Sequence, residues 1–208
     1  MSDIEYFYSA HSLFAYFGSA RLTEIAEAAG RRIAHRPIDL NKVMEGIGAS
    51  PFSSRSKAHY AYFFGREKER WSEFRNAPTL PHFPKHHHND TTLVNCMLIA
   101  GLERGIDIGP LAHAILEAHW RDDVDFASTE TLAALAAKAA IDAAPLLAAA
   151  LTPEIHVLYA KNTNEAIQRS VFGSPTYFVD GDMFYGQDRL EMVERALQQP
   201  FARKRPRT

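Results

Sequence analysis

"FGSPTYFVDG" (172–181) is the stretch that decides how this chain folds. Thr176 to Val179 is a short apolar run, and it is entered through Gly173, Ser174 and Pro175. Proline has no amide hydrogen to give a ladder, so it is confined to the entrance or edge of a strand. An X-Pro bond is also the one peptide bond whose cis form is cheap, and a cis proline marks a tight, constrained turn. Beyond the run come Asp180-Gly181 and "DMFYG" (182–186), two short strands about a two-residue turn. That is a hairpin by the strongest short-range criterion.

Working outward, "QDRLEMVERALQQ" (187–199) closes the chain as an amphipathic helix with Leu190, Val193 and Leu197 on one face. At the other end, "IEYFYSA" (4–10) reads as a buried strand. From Ser12 the pattern turns helical: Phe14, Phe17, Leu22, Ile25 and Ala29 recur at steps near three and four. Ser12 stands at the N-cap and Gly30 at the C-terminal cap. "RRIAHRPIDL" (31–40) is a second strand, which makes a βαβ unit with parallel pairing and a right-handed crossover. Residues 41–170 carry helical patterns and almost no strand signal. Helices are predicted over 57–74, 91–105, 110–122, 128–140 and 152–172, with Ser128 and Thr152 as N-caps. The alanine-rich stretch 132–150 reads as a packed helical pair. The layout is α/β: a thioredoxin-like fold from residues 1–40 and 171–208, carrying a large all-helical insertion at 41–170. In such a fold the proline loop faces the N-terminus of the first helix.

Composition narrows the function classes. The chain has 208 residues, 46% hydrophobic and 23% charged, with a net charge of −2. Such a balance offers no electrostatic capture of nucleic acid or of an anionic membrane. The basic tail "ARKRPRT" (202–208) is read as a frayed end. The opening residues lack a basic region followed by a long apolar core, and no run of about 18 apolar residues occurs. A cytoplasmic protein is the expectation. Cys96 is the one cysteine, so neither a disulfide within the chain nor a C-x-x-C redox pair exists. A disulfide oxidase is thereby excluded.

Three features together resemble one family. "FYSAHSLFAYFGSARL" (7–22), "FGSPTYFVDGDMFYGQDRL" (172–190) and the spacing between them are similar to the glutathione-dependent 2-hydroxychromene-2-carboxylate isomerases. These are relatives of kappa-class glutathione transferases in the DsbA-like branch of thioredoxin folds. "HRPIDL" (35–40) and "RW" (70–71) extend the likeness. The family usually has an aromatic, then Ser-Pro; here Ser12 occupies the position of the catalytic serine, Leu13 replaces the proline, and Ala15 replaces a second small polar residue. The resemblance implies glutathione as cofactor, held by Ser12, by the main chain of Ser174 and Pro175, and by Gln187 and Asp188 at the γ-glutamyl end. It implies a small aromatic substrate touched by Ser54, Arg55 and a histidine of the 80–90 loop, taken as His86, with His11 next to the serine. The implied reaction interconverts 2-hydroxychromene-2-carboxylate and trans-o-hydroxybenzylidenepyruvate, in aromatic-compound degradation, by a homodimer. A kappa-class-like glutathione transferase, or a non-catalytic thioredoxin-like binding module, are the alternatives.

The residue types suit that chemistry. A thiol is a poor nucleophile until it is deprotonated. A helix N-terminus has unpaired amides and the positive end of the dipole, so it favours a thiolate. Each unit of thiol pKa depression corresponds to about 1.4 kcal/mol. On their own Ser12 is more simply a plain helix cap and Asp188 a first-turn acid, and Arg55 is equally a solvated loop residue. An arginine there suits a carboxylate, which it grips bidentately. His86, His87 and His88 are adjacent, cannot easily converge on one ion, and lack completing ligands, so no metal site is expected. Trp71 and Trp120 are read as core.

Overall fold

A computed structural model describes residues 3–50 and 54–202; most of the basic tail and residues 51–53 of the Ser54–Arg55 segment lie outside them. The opening unit is β1 (Ile4–Tyr8), α1 (Leu13–Ala28) and β2 (Ile33–Pro37). The two strands pair in parallel, from Ile4 opposite Ile33 to Tyr8 opposite Pro37. β3 (Thr176–Val179) lies antiparallel on the other side of β1, and β4 (Asp182–Tyr185) pairs antiparallel with β3. The sheet order is β2-β1-β3-β4. Asp180 at φ 49° and Gly181 at φ 82° make the hairpin turn. Positive φ at both positions is the mirror-image turn whose twist matches the flanking strands.

Successive side chains of a strand point to opposite faces, and here both faces are covered. Ile4, Tyr6 and Tyr8 join Tyr177 and Val179 in the main core, while Phe7 and Phe178 enter a second core with Ile38, Val43, Ala166 and Val171. Burial on both sides explains why β1 and β3 read as mostly apolar runs, Glu5 of β1 being the half-buried exception that pairs with Arg169. Phe7 and Phe126 are fully enclosed, each worth about 1.5–3 kcal/mol of burial.

Between β2 and β3 run α2 (Leu40–Gly46), α3 (Lys57–Ala61), a π-helical turn (Tyr62–Glu67) and α4 (Lys68–Phe74). They are followed by α5 (Thr92–Glu103), α6 (Gly109–Asp122), α7 (Thr129–Lys138), α8 (Ala144–Ala150) and α9 (Pro153–Gln168). A 3₁₀ turn (Gln187–Arg189) and α10 (Leu190–Gln198) end the fold. The expected helix over 57–74 is therefore interrupted by a π turn. α2 was not expected, because Ile38 and Leu40 extend the apolar pattern of β2. Its start is fixed by Asp39, whose carboxylate accepts the Lys42 amide at 3.1 Å. The helix expected to Phe172 stops at Gln168, with Ser170 in the left-handed region at φ 56°. The main core runs without a seam from Tyr6 and Tyr16 to Met97, Leu116 and Leu146. The helical segment is thus built onto the sheet, and its Val43 and Ala166 complete the second core.

Candidate active site

Ser12 caps α1, and its position is set from two sides. Its hydroxyl oxygen accepts the Ala15 amide at 3.3 Å, and its proton goes to the Ser174 carbonyl at 3.0 Å. The Ser174-Pro175 peptide is cis. The loop is further pinned because the Ser9 amide donates to Ser174 Oγ at 3.1 Å, so the Ser174 side chain has a role that its main chain does not cover. Asn95, fully buried on α5, accepts the Ala10 amide at 3.1 Å and donates to the Tyr159 hydroxyl at 3.3 Å. Trp120 is more than core, since its indole N–H holds the His11 carbonyl at 2.9 Å. The backbone from 9 to 12 is thereby fixed to α5, α6 and the proline loop.

A cavity of about 320 Å³ opens above Ser12, within the ~300–1,000 Å³ of small-molecule pockets. Phe14, Tyr60, Phe63, Phe64, Phe172 and Tyr185 form its aromatic walls. The first-turn residues Leu13 and Phe14 border it, as do Gly173 and Ser174 of the proline loop. Amides of a first helical turn have no carbonyl from a preceding turn to bond. A hydroxyl, unpaired amides and a dipole end therefore converge on one spot. That donor set suits a sulfur anion. Arg55 does not line the cavity, but its guanidinium lies 5.5 Å from the centre of the ring of Phe63, which does. Its charge reaches Tyr185, where it partly offsets the rise in the phenol's pKa caused by burial.

His11, His87 and His88 share the polar wall with Asp39, Asn41, Asn89, Asp90 and Thr91. His11 Nδ1 lies 2.9 Å from Ser9 Oγ, and the His11 ring is 4.8 Å from that of His87. His87 Nδ1 is 3.0 Å from Nε2 of the fully buried His119. Burial first, and then the neighbouring His119 and His88, push His11 down to about 3. His119 falls to about 4 for the same first reason, partly opposed by its bond to the Val124 carbonyl. His87 is lowered by burial and then by its three histidine neighbours. At neutral pH His11, His87 and His119 are therefore uncharged imidazoles.

The other expected residues fall at different places. His86 turns from the cavity to Asp125, 3.7 Å away, while His87 and His88 of the same run border it. Ser54 is exposed and does not line the cavity. Gln187 is buried under α1, where Gly18 leaves room: a Cβ on Gly18 would stand 2.8 Å from that of Gln187. Its Oε1 accepts from Arg75 Nε at 3.0 Å. Asp188 lies outside the cavity and pairs with Arg189 at 2.8 Å. His87 and His119 were missed; the one signal was "HHH" in a loop together with "HW" at the end of a helix, and only folding brings them together.

Comparison with known proteins follows the same geometry. The chain is 27% identical over 195 residues to a 2-hydroxychromene-2-carboxylate isomerase of Pseudomonas sp. (strain C18), covering 93% of this chain and 89% of that protein. It is 28% identical over 195 residues to one of Sphingobium xenophagum, covering 93% and 97%. A solved 2-hydroxychromene-2-carboxylate isomerase shares the fold with a TM-score of 0.78, at 24% identity over 94% of each chain. The family model described as a DSBA-like thioredoxin domain matches residues 3–198. With a cis-proline loop set against the start of the first helix and a match over nearly its whole length, the chain belongs to the DSBA-like thioredoxin domain family.

Proposed function

We propose that the chain is a glutathione-dependent isomerase that interconverts 2-hydroxychromene-2-carboxylate and trans-o-hydroxybenzylidenepyruvate. The observation that carries this reading is the Ser12 hydroxyl, held at the start of α1, 3.0 Å from the Ser174 carbonyl, under an aromatic-walled cavity. Ser12 stands where disulfide-exchanging relatives of this fold place a cysteine, so sulfur must come from outside the chain. Bound there, glutathione supplies a nucleophile for reversible addition to a conjugated double bond, and it is not consumed. Ser12 turns its proton from the Ser174 carbonyl to the sulfur and lowers the thiol pKa. The first-turn amides act in the same direction. The freed Ser174 carbonyl and its amide pair with the cysteinyl backbone. Phe14, Phe63 and Phe64 flank the aromatic ring and exclude water, and Arg55, beside Phe63, takes the substrate carboxylate. Asp188, just past β4, takes the γ-glutamyl ammonium, and Gln187 supports it from beneath.

The test is an absorbance assay of the interconversion with and without glutathione. Turnover that needs glutathione but leaves its concentration unchanged supports the reading. Stoichiometric loss of the thiol with chlorodinitrobenzene, without isomerisation, would make the chain a transferase. Absence of any glutathione effect would sink both.

A further inference from the structure

Behind the cavity wall, three groups fix one another's protons in a single direction. A carbonyl only accepts, so at 3.4 Å from Val124 O the Nδ1 of His119 carries the proton. Neutral His119 then has a bare Nε2, which faces His87 Nδ1 at 3.0 Å. That nitrogen of His87 must donate. The other nitrogen of the same ring, Nε2, is left without a proton.

The ring is held where this matters. His87 borders the cavity, whereas His119 is fully enclosed. Edge contacts to Phe83 and Trp120, at 4.6 and 5.1 Å between ring centres, clamp the His87 ring while it stacks on His119 at 5.3 Å. The titratable groups facing the pair are His11 and His88 toward His87, and His86, Asp123 and Asp125 toward His119. Burial outweighs the two carboxylates and keeps both rings neutral.

We propose that His87 Nε2 accepts a hydrogen bond from a hydroxyl of the ligand, so that this cavity selects aromatic acids bearing a hydroxyl over the same acids without one. The inference rests on reading the cavity as the isomerase site and deepens it by naming the side chain that reads the substrate's hydroxyl. A bare imidazole nitrogen left unpaired beside a bound ring carries a desolvation penalty, which a hydroxyl donor removes. An ionised phenolate offers no donor and is disfavoured as well. His87 is the residue that touches the ligand; His119 is a positioning residue that sets its tautomer.

The test compares trans-2-hydroxycinnamate with trans-cinnamate, each titrated calorimetrically into the full chain at neutral pH. The hydroxylated acid is expected to bind about tenfold more tightly. His87→Leu brings the ratio to about one. His119→Leu lowers the ratio, and His119→Gln restores it, because a carboxamide accepts from His87 Nδ1 and donates to Val124. A merely structural role for His119 would not move this ratio. Nitrogen-15 spectra of the unsubstituted chain read the tautomer directly and do not depend on any variant folding. Equal affinities, binding of neither acid, or a proton on His87 Nε2 would each overturn the proposal. A chain that discriminates the acids but shows no glutathione-dependent turnover upholds this inference and removes the isomerase reading. Turnover with equal affinities does the reverse.

Discussion

Ser12 is asked to do two things, and one substitution series separates them. As a cap it satisfies the Ala15 amide; as a hydroxyl it presents a proton toward the Ser174 carbonyl. Ser12→Ala removes both. The expected cost is about 0.5–2 kcal/mol of stability from the lost cap. Glutathione-dependent turnover should also fall by about 10- to 100-fold, the equivalent of one to two units of thiol pKa. Ser12→Gly costs the cap only a few tenths of a kcal/mol and carries no side-chain donor. Its thermal midpoint should stay near the parent's while its turnover matches Ser12→Ala. If Ser12→Gly retained full turnover, the hydroxyl would have no part in the chemistry. Ser174→Ala tests the opposing loop, since it leaves the Ser9 amide without its acceptor. An unpaired buried amide costs about 1–3 kcal/mol, to be read as a shift in the urea midpoint.

The π turn is the element that brings Phe63 and Phe64 into the cavity's aromatic wall. An amphipathic helix over 57–74 would keep one apolar face throughout. The extra residue in Tyr62–Glu67 instead lets Phe63 and Phe64 reach the cavity while Trp71, further on, packs against the core. Turns of this kind recur at functional sites for that reason. Deleting Gly65 should convert the segment to regular α-helix and rotate one flank by about 100° against the other. Affinity for trans-cinnamate is then expected to fall about tenfold, with glutathione affinity nearly unchanged because Ser12 and the proline loop stay in place. Loss of glutathione affinity to the same degree would mean that the aromatic wall and the thiol site are one unit. No periodicity marks this turn in the sequence, because an inserted helical residue leaves the pattern apolar on both sides of it.

Across the whole molecule, what the sequence disclosed was local. The Asp180-Gly181 hairpin, the Ser12 helix start and the β1–β2 crossover each depend on neighbouring residues, and each lies where the pattern put it. Pairings across long stretches of chain were invisible: His87 with His119, and Arg75 with Gln187, meet only through packing. One global consequence of that packing is acid sensitivity. The ordinary histidine pKa is 6.5, and burial holds His119 near 4, His11 near 3 and His35 near 4 in the folded chain. Between those values and 6.5 the unfolded chain binds more protons than the folded one, so unfolding gains as pH falls. The stability conferred by neutral imidazoles is whole above about pH 6.5 and drains away toward pH 4. For the fully enclosed His119 the gap corresponds to roughly 3 kcal/mol. Asp122, Asp123 and Asp125 are held below the ordinary carboxylate range, so their loss belongs to still lower pH. Urea midpoints should therefore drop steeply between pH 6.5 and 4.5. In His119→Gln, which keeps both hydrogen bonds and cannot titrate, the drop should be visibly shallower. Equal slopes in the two proteins would show that this histidine takes up its proton as readily folded as unfolded, so that burial does not hold it neutral.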